Sequence, residues 1–197
     1  MVENGPHRDV IRAFIGVTID PSVAEKISET QVKIERKLSG IRWVGQDKLH
    51  FTLKFLGPIA EAKGEPITEA LEEALTPFSR FSILARGMGV FPDIRKPRVL
   101  WVGLEGHKLK SLAMEIETAL EAIGFSREKR EFKPHLTIGR WKSFGGRPEP
   151  LRSELESWKD YGFGKSWVEE VVFFQSILKP EGAIYRPLSV IRLRSEC

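Results

Sequence analysis

Leu49-His50-Phe51-Thr52-Leu53-Lys54-Phe55-Leu56-Gly57 reads as a β-strand with two unlike faces. Side chains alternate along an extended chain. His50 and Thr52 therefore point one way, and Leu49, Phe51 and Leu53 the other. One such segment is what any half-buried strand shows, but the chain repeats it as Pro134-His135-Leu136-Thr137-Ile138-Gly139-Arg140. Two of the four His stand in these matching contexts, 85 residues apart, which suits one copy per half of a duplicated domain. Each copy buries an apolar face and presents an imidazole beside a hydroxyl. That pair donates hydrogen bonds to an oxyanion, and the imidazole moves a proton near neutral pH. The two strands are expected to face each other across a cleft and to hold one phosphate.

Outward from these strands, the pattern predicts a scaffold of mixed elements. Residues 1–9 read as a polar lead-in carrying an inert His7, and Val10–Ile19 as a buried strand with Phe14 and Val17 inside. Pro21 opens a helix that Asp20 caps, running to about Leu38. A short strand at Ile41–Val44 leads into the first motif strand, which Phe55-Leu56-Gly57-Pro58 should end. Helices follow at 66–77 and Leu109–Ile123, the latter stopped by Gly124. Strands are expected at Phe81–Phe91, Arg98–Leu104, Phe132–Ile138, Trp167–Ile177 and Ile184–Leu193, with a short helix within Arg147–Trp158. The order does not alternate strand and helix cleanly. It points to an α+β fold with largely antiparallel sheets rather than a doubly wound parallel one. No flexible linker separates the halves, so residues 1–197 are expected to form a single bilobed domain.

Composition sets the outer bounds. At 197 residues, with 41% hydrophobic residues, the chain can bury a core. It has no apolar run of the roughly 18 residues that a membrane helix needs. A cytoplasmic protein without a signal peptide, and a monomer, are the expectations. The single Cys, Cys197, excludes an internal disulfide and a Cys-based metal cage. A net charge of +4 favours an anionic partner without identifying one. Arg127, Lys129, Arg130 and Lys133 precede the second motif, and Arg95, Lys96 and Arg98 share a loop; mixed charge of this kind is also how a solvated surface looks. One Asn, three Gln and 29% charged residues fit a thermophilic source.

Other chemistries fail on spacing. Gly162-Phe163-Gly164-Lys165-Ser166 lacks the first glycine of a phosphate loop, because Lys159 stands there, and it reads as a surface turn. No dinucleotide fingerprint, His-Glu-x-x-His or Gly-x-Ser-x-Gly is present. His107, in a turn before a helix, is read as chemically idle. Two histidines without a metal set or a nucleophile motif leave acid–base catalysis, and no cofactor or metal is expected.

The paired motifs with their flanks resemble the two-histidine (2H) phosphoesterase superfamily, and within it the RNA 2′,3′-cyclic phosphodiesterases, also called 2′-5′ RNA ligases. The residues that carry the resemblance are His50-Phe51-Thr52-Leu53 with Lys54-Phe55-Leu56-Gly57, and Pro134-His135-Leu136-Thr137-Ile138 with Arg140. Arg12-Ala13-Phe14-Ile15, Gln175-Ser176, Gly182 and Tyr185 add to it. The resemblance implies a bilobed, pseudo-two-fold fold with two sheets flanking a central cleft and helices outside. It implies metal-independent hydrolysis of an RNA or nucleotide 2′,3′-cyclic phosphate to a 2′-phosphate, with His50 as proton donor and His135 as proton acceptor. The residues themselves are symmetric in this respect. Thr52, Thr137 and Arg140 would contact the phosphate, and Phe14 would stack a base. By strand parity Arg140 lies opposite His135, so the strand must end or twist at Gly139. Two other readings stand beside this one: a ligase joining a cyclic phosphate end to a 5′-hydroxyl, as in tRNA halves, and a nucleotide- or RNA-binding module without chemistry.

Overall fold

The computed structural model describes residues 10–180 and 182–195. The lead-in with His7, and Cys197, lie outside the described residues. In chain order the elements are β1 (Val10–Thr18), α1 (Pro21–Glu35), β2 (Ile41–Trp43), β3 (His50–Ala60), α2 (Gly64–Leu75), β4 (Phe81–Phe91), β5 (Val99–Glu105), α3 (Leu109–Ala122), β6 (His135–Trp141), α4 (Pro148–Ser157), β7 (Gly162–Val168), β8 (Glu170–Lys179) and β9 (Gly182–Arg192).

This is an α+β fold. The strands run in the order β7-β4-β5-β6-β3-β1-β8-β9, with β2 on the far end of β6. All pairings between these strands are antiparallel. The two expected sheets, β7-β4-β5-β6 and β3-β1-β8-β9, meet at one narrow seam. β3 and β6 pair there only through Phe51 and Leu136. One half thus has four strands and the other four plus β2, and the second residues of the two motifs join them.

The helices cover the sheet face opposite the motif histidines. Ile27 and Ile34 of α1, Ile67, Leu71 and Leu75 of α2, and Leu112, Ile116 and Leu120 of α3 are buried in one core with Phe51 and Leu136. Their spacing of four and seven residues gives each helix one apolar stripe. Burying a side chain such as Phe51 or Leu136 stabilises by roughly 1.5–3 kcal/mol. The seam is therefore held by hydrophobic packing as well as by backbone bonds. A second, smaller cluster of Phe14, Val172 and Phe174, with Tyr185 against it, lies beside His50.

Three local readings are corrected. The first motif strand does not end at Pro58 but continues to Ala60. Past Phe51 one edge of β3 has no β6 partner, so a proline costs no ladder bond on that side. Gly162–Val168 is not a turn but the edge strand β7, where Phe163 and Ser166 are buried against β4. Asp20 occupies the N-cap position of α1, yet its carboxylate accepts from the Trp167 N–H at 3.1 Å, while its own N–H donates to Ser166 Oγ at 2.9 Å. Asp20 therefore ties α1 to β7 instead of capping the helix. Among the described residues no helix is long and apolar enough to cross a membrane.

Candidate active site at the seam of the two sheets

The pairing of Phe51 with Leu136 fixes the centre of the site. Both side chains point into the core, so the neighbours on each side point into the cleft. Antiparallel register around that pair brings His50 towards Thr137 and Thr52 towards His135. The two imidazoles and two hydroxyls thus form a four-cornered set on one face.

Each imidazole is anchored in the same way. His50 Nδ1 lies 2.8 Å from the Lys48 carbonyl oxygen, and His135 Nδ1 lies 2.6 Å from that of Lys133. A carbonyl only accepts, so Nδ1 carries the proton and donates it. That leaves Nε2 of each neutral ring with the lone pair that can take a proton near neutral pH. The anchors are legible as a repeated Lys-x-His, Lys48-Leu49-His50 and Lys133-Pro134-His135, a signal the motif reading passed over.

Aromatic rings fix the imidazole planes. His50 lies between Phe14, 4.9 Å away between ring centroids, and Tyr185, edge-on at 4.7 Å. His135 meets Phe91 edge-on at 5.0 Å, with Trp101 at 6.5 Å. Trp101 lies flat over β4 because Gly89 has no side chain there; a Cβ would sit inside the indole ring. Gly16 plays a similar part opposite Thr52. A Cβ at Gly16 would lie 2.9 Å from the Phe51 carbonyl oxygen, so glycine lets β1 close up against the motif strand.

Burial lowers the pKa of both histidines. For His50 desolvation is the largest cause, opposed by the Lys48 carbonyl bond and reinforced by the charges of Arg140 and His135. For His135 desolvation again leads, with the Lys133 bond opposing it and Arg140 adding to it. Burial raises the pKa of Tyr185, against the pull of Arg140, so its phenol remains an O–H donor. The Arg140 charge is therefore felt by all three rings.

The backbone explains how Arg140 comes to that position. β5 pairs Trp101 with Thr137 and then Leu100 with Gly139, so Ile138 is an extra residue in β6. The bulge inverts the parity after Thr137 and turns Arg140 to the side of His135. The twist expected at Gly139 is thus a bulge one residue earlier. The Ile138 carbonyl is held by Val44 N–H at 3.0 Å and by Gln31 Nε2 of α1 at 2.9 Å. β3 carries the matching bulge: Gly16 pairs with Thr52 and Ile15 with Lys54, so Leu53 is extra. Lys54 is turned into the core, where its ammonium pairs with Glu117 and donates to the Ser126 carbonyl. Phe55 is turned outward.

Two phenylalanines beside the site differ in exposure. Phe14 does not offer a face to a base. It is 3% exposed, stacked on Phe174 at 5.0 Å and covered by His50 and Tyr185. Phe55, opposite Phe14 on β3 and 6.2 Å from it, is 68% exposed.

The basic clusters are mostly surface. Arg127 pairs with Glu121, Arg130 with Glu128 and Lys110 with Glu131, all exposed. His107 is exposed in its turn, 6.4 Å from the Phe81 ring. Among the described residues no three His, Cys, Asp or Glu cluster as metal ligands would.

The sequence matches the family described as LigT like Phosphoesterase twice in tandem, over residues 17–101 and 102–185. Each match contains one His-x-Thr strand. The chain is 37% identical over 182 residues to the RNA 2′,3′-cyclic phosphodiesterase of Archaeoglobus fulgidus, covering 91% of this chain and 99% of that protein. It is 35% identical over 179 residues to the protein of that name from Aquifex aeolicus, covering 89% and 94%. A crystal structure from Thermus thermophilus superposes with a TM-score of 0.80 at 28% identity, covering 95% of this chain and 100% of that one. Proteins of thermophiles stand among these relatives, in keeping with the charge-rich, amide-poor composition.

Proposed function

The chain belongs to the LigT-like phosphoesterases, and we propose that it hydrolyses RNA 2′,3′-cyclic phosphate ends to 2′-phosphates with His50 and His135 as its acid–base pair. The observation that carries the mechanism is the equivalence of the two imidazoles. Each is anchored through Nδ1 to the carbonyl two residues upstream, on strands that meet at Phe51 and Leu136.

Opening the ring by in-line displacement needs a base on one side of phosphorus and an acid on the other. In this reading His135 Nε2 takes a proton from water as the water oxygen bonds to phosphorus. The bond from phosphorus to O3′ breaks, and His50 Nε2–H protonates O3′. One imidazole must start neutral and the other charged. The Thr52 and Thr137 hydroxyls and the Arg140 guanidinium hold the non-bridging oxygens, where negative charge grows in the transition state. Phe55, rather than Phe14, offers a ring face to the terminal base. The site is shared between the two halves, so the chain acts as one bilobed domain.

Run backwards with a 5′-hydroxyl in place of water, the same proton transfers join two RNA ends. The near-symmetry of the site supports that direction as a secondary activity. The test is an oligonucleotide ending in 2′,3′-cyclic phosphate, incubated with and without a 5′-hydroxyl RNA and with EDTA. A 2′-phosphate product, formed equally with EDTA, is expected. A 3′-phosphate product, or no turnover, would overturn the reading.

A further inference from the structure

Arg42 of β2 is paired directly with Arg140 of β6. Directly opposed residues on antiparallel strands project from the same face, with Cβ atoms about 5 Å apart. The flanking residues Ile41 and Trp43 face the other way and pack against the core. Arg42 therefore shares the cleft face with Arg140, on the same edge of β6 that β3 occupies nearer the histidines. Both are exposed, and among the described residues neither has a carboxylate partner. Opposed like charges destabilise a strand pair, and nothing among the described residues relieves these two.

We infer that Arg42 forms a second phosphate subsite, which takes the internucleotide phosphate next to the cyclic phosphate and so selects an oligonucleotide over a mononucleotide. The inference rests on the proposed reaction and extends it. Arg140 acts on both histidines, so its guanidinium lies with the reacting phosphate. Arg42 is not among the charges that act on either histidine. The two arginines thus stand side by side across the β6–β2 pair, beyond the motif residues along β6. Adjacent phosphates on one strand are near enough together for neighbouring arginine stems to reach one each. Charge-assisted, two-pronged bonds to phosphate are what guanidinium geometry favours. The substrate then runs from a terminal base at Phe55, through the cyclic phosphate at the seam, to the next phosphate at the β2 edge.

The test compares a mononucleoside 2′,3′-cyclic phosphate with a dinucleotide carrying the same end and one internal phosphodiester. The wild-type protein should favour the dinucleotide in kcat/KM by about ten-fold or more, as expected for one bond to a charged group. The ratio should fall towards one in Arg42→Ala, mainly through KM, and be partly kept in Arg42→Lys. The preference should also weaken with added salt in the wild type and less so in Arg42→Ala. Arg152→Ala, which removes the same charge from the outer helix α4, should leave the ratio unchanged. A wild-type ratio near one, or an Arg42→Ala protein that keeps the preference, would overturn the subsite. Failure of the wild type on both substrates would instead overturn the reaction assigned to the site, and the subsite with it.

Discussion

Phe55 and Arg140 stand at the same place in the two halves of the molecule. Each is the fifth residue after its motif histidine, and each is turned onto the cleft face by an extra residue directly after the motif threonine. A strict period of two would have put both on the core face. One duplicated backbone device thus presents an aromatic ring on one side of the seam and a guanidinium on the other. Phe55→Ala should raise KM for a base-bearing substrate by about five- to a hundred-fold, the range of one lost stacking contact. If Arg140 holds the phosphate as proposed, Arg140→Ala should lower kcat by roughly 10²-fold, since a charge there meets the growing charge of the transition state. Steady-state kinetics on one dinucleotide substrate separates the two. Equal effects on KM and kcat in both variants would contradict the division of labour.

The histidine roles can be separated although their settings match. His50→Ala and His135→Ala should each cost roughly 10²–10⁴-fold in kcat. Circular dichroism should stay unchanged, since both rings lie on the cleft face and outside the helix-packed core. A cyclic substrate with sulfur at the 3′ position has a leaving atom that needs no proton. It should restore turnover to His50→Ala and not to His135→Ala. Rescue of the other variant would exchange donor and acceptor.

The lowered histidine pKa values predict two pH effects. The kcat/KM profile should be bell-shaped, with both limbs below the ordinary histidine value of about 6.5. Stability should depend on pH through the same groups. Unfolded histidines bind protons at about 6.5, whereas the folded ones bind them only at lower pH, so below that value the unfolded chain holds more protons. The stability conferred by neutral histidines is therefore present above about pH 6.5 and lost as pH falls through the lowered folded values. Urea unfolding from pH 7 to 5 should show the slope in the wild type and a flatter one in a His50→Asn, His135→Asn double variant. An unchanged slope in that variant would place the proton linkage elsewhere.

What the sequence reveals here depends on periodicity. His50, Thr52, His135 and Thr137 share a cleft because each pair obeys an undisturbed period of two. The same rule misplaces Arg140 and overlooks Phe55, because a bulge leaves no mark in composition: Leu53 and Ile138 look like ordinary strand residues. Phe14 is read as inside its strand, as it is, but what covers it is not legible. An aromatic at the right position is visible, but its coverage by Phe174 and Tyr185 depends on β8 and β9, far along the chain. The β7 edge strand hides behind two glycines that suggest a turn. Arg42 escapes notice because β2 has three residues, too few to show a pattern.

The Ile138 bulge rests on Gln31, and this link can be tested apart from chemistry. Gln31 Nε2 donates to the Val44 and Ile138 carbonyls, both at 2.9 Å, joining α1 to β6 and to the residue that follows β2. Gln31→Leu keeps the volume and removes both bonds; the Ile138 carbonyl keeps the Val44 N–H, but the Val44 carbonyl loses its Gln31 donor, which should cost about 1–3 kcal/mol in urea unfolding. Gln31→Glu should cost more, because it sets a carboxylate against two carbonyl oxygens. If Gln31 positions Arg140, then Gln31→Leu should also lower kcat/KM, and that loss should vanish when Arg140 is already alanine. The stability loss should persist in the double variant, since it arises from the carbonyls and not from the guanidinium. An activity loss that simply adds to that of Arg140→Ala would show that Gln31 serves the fold without steering the arginine.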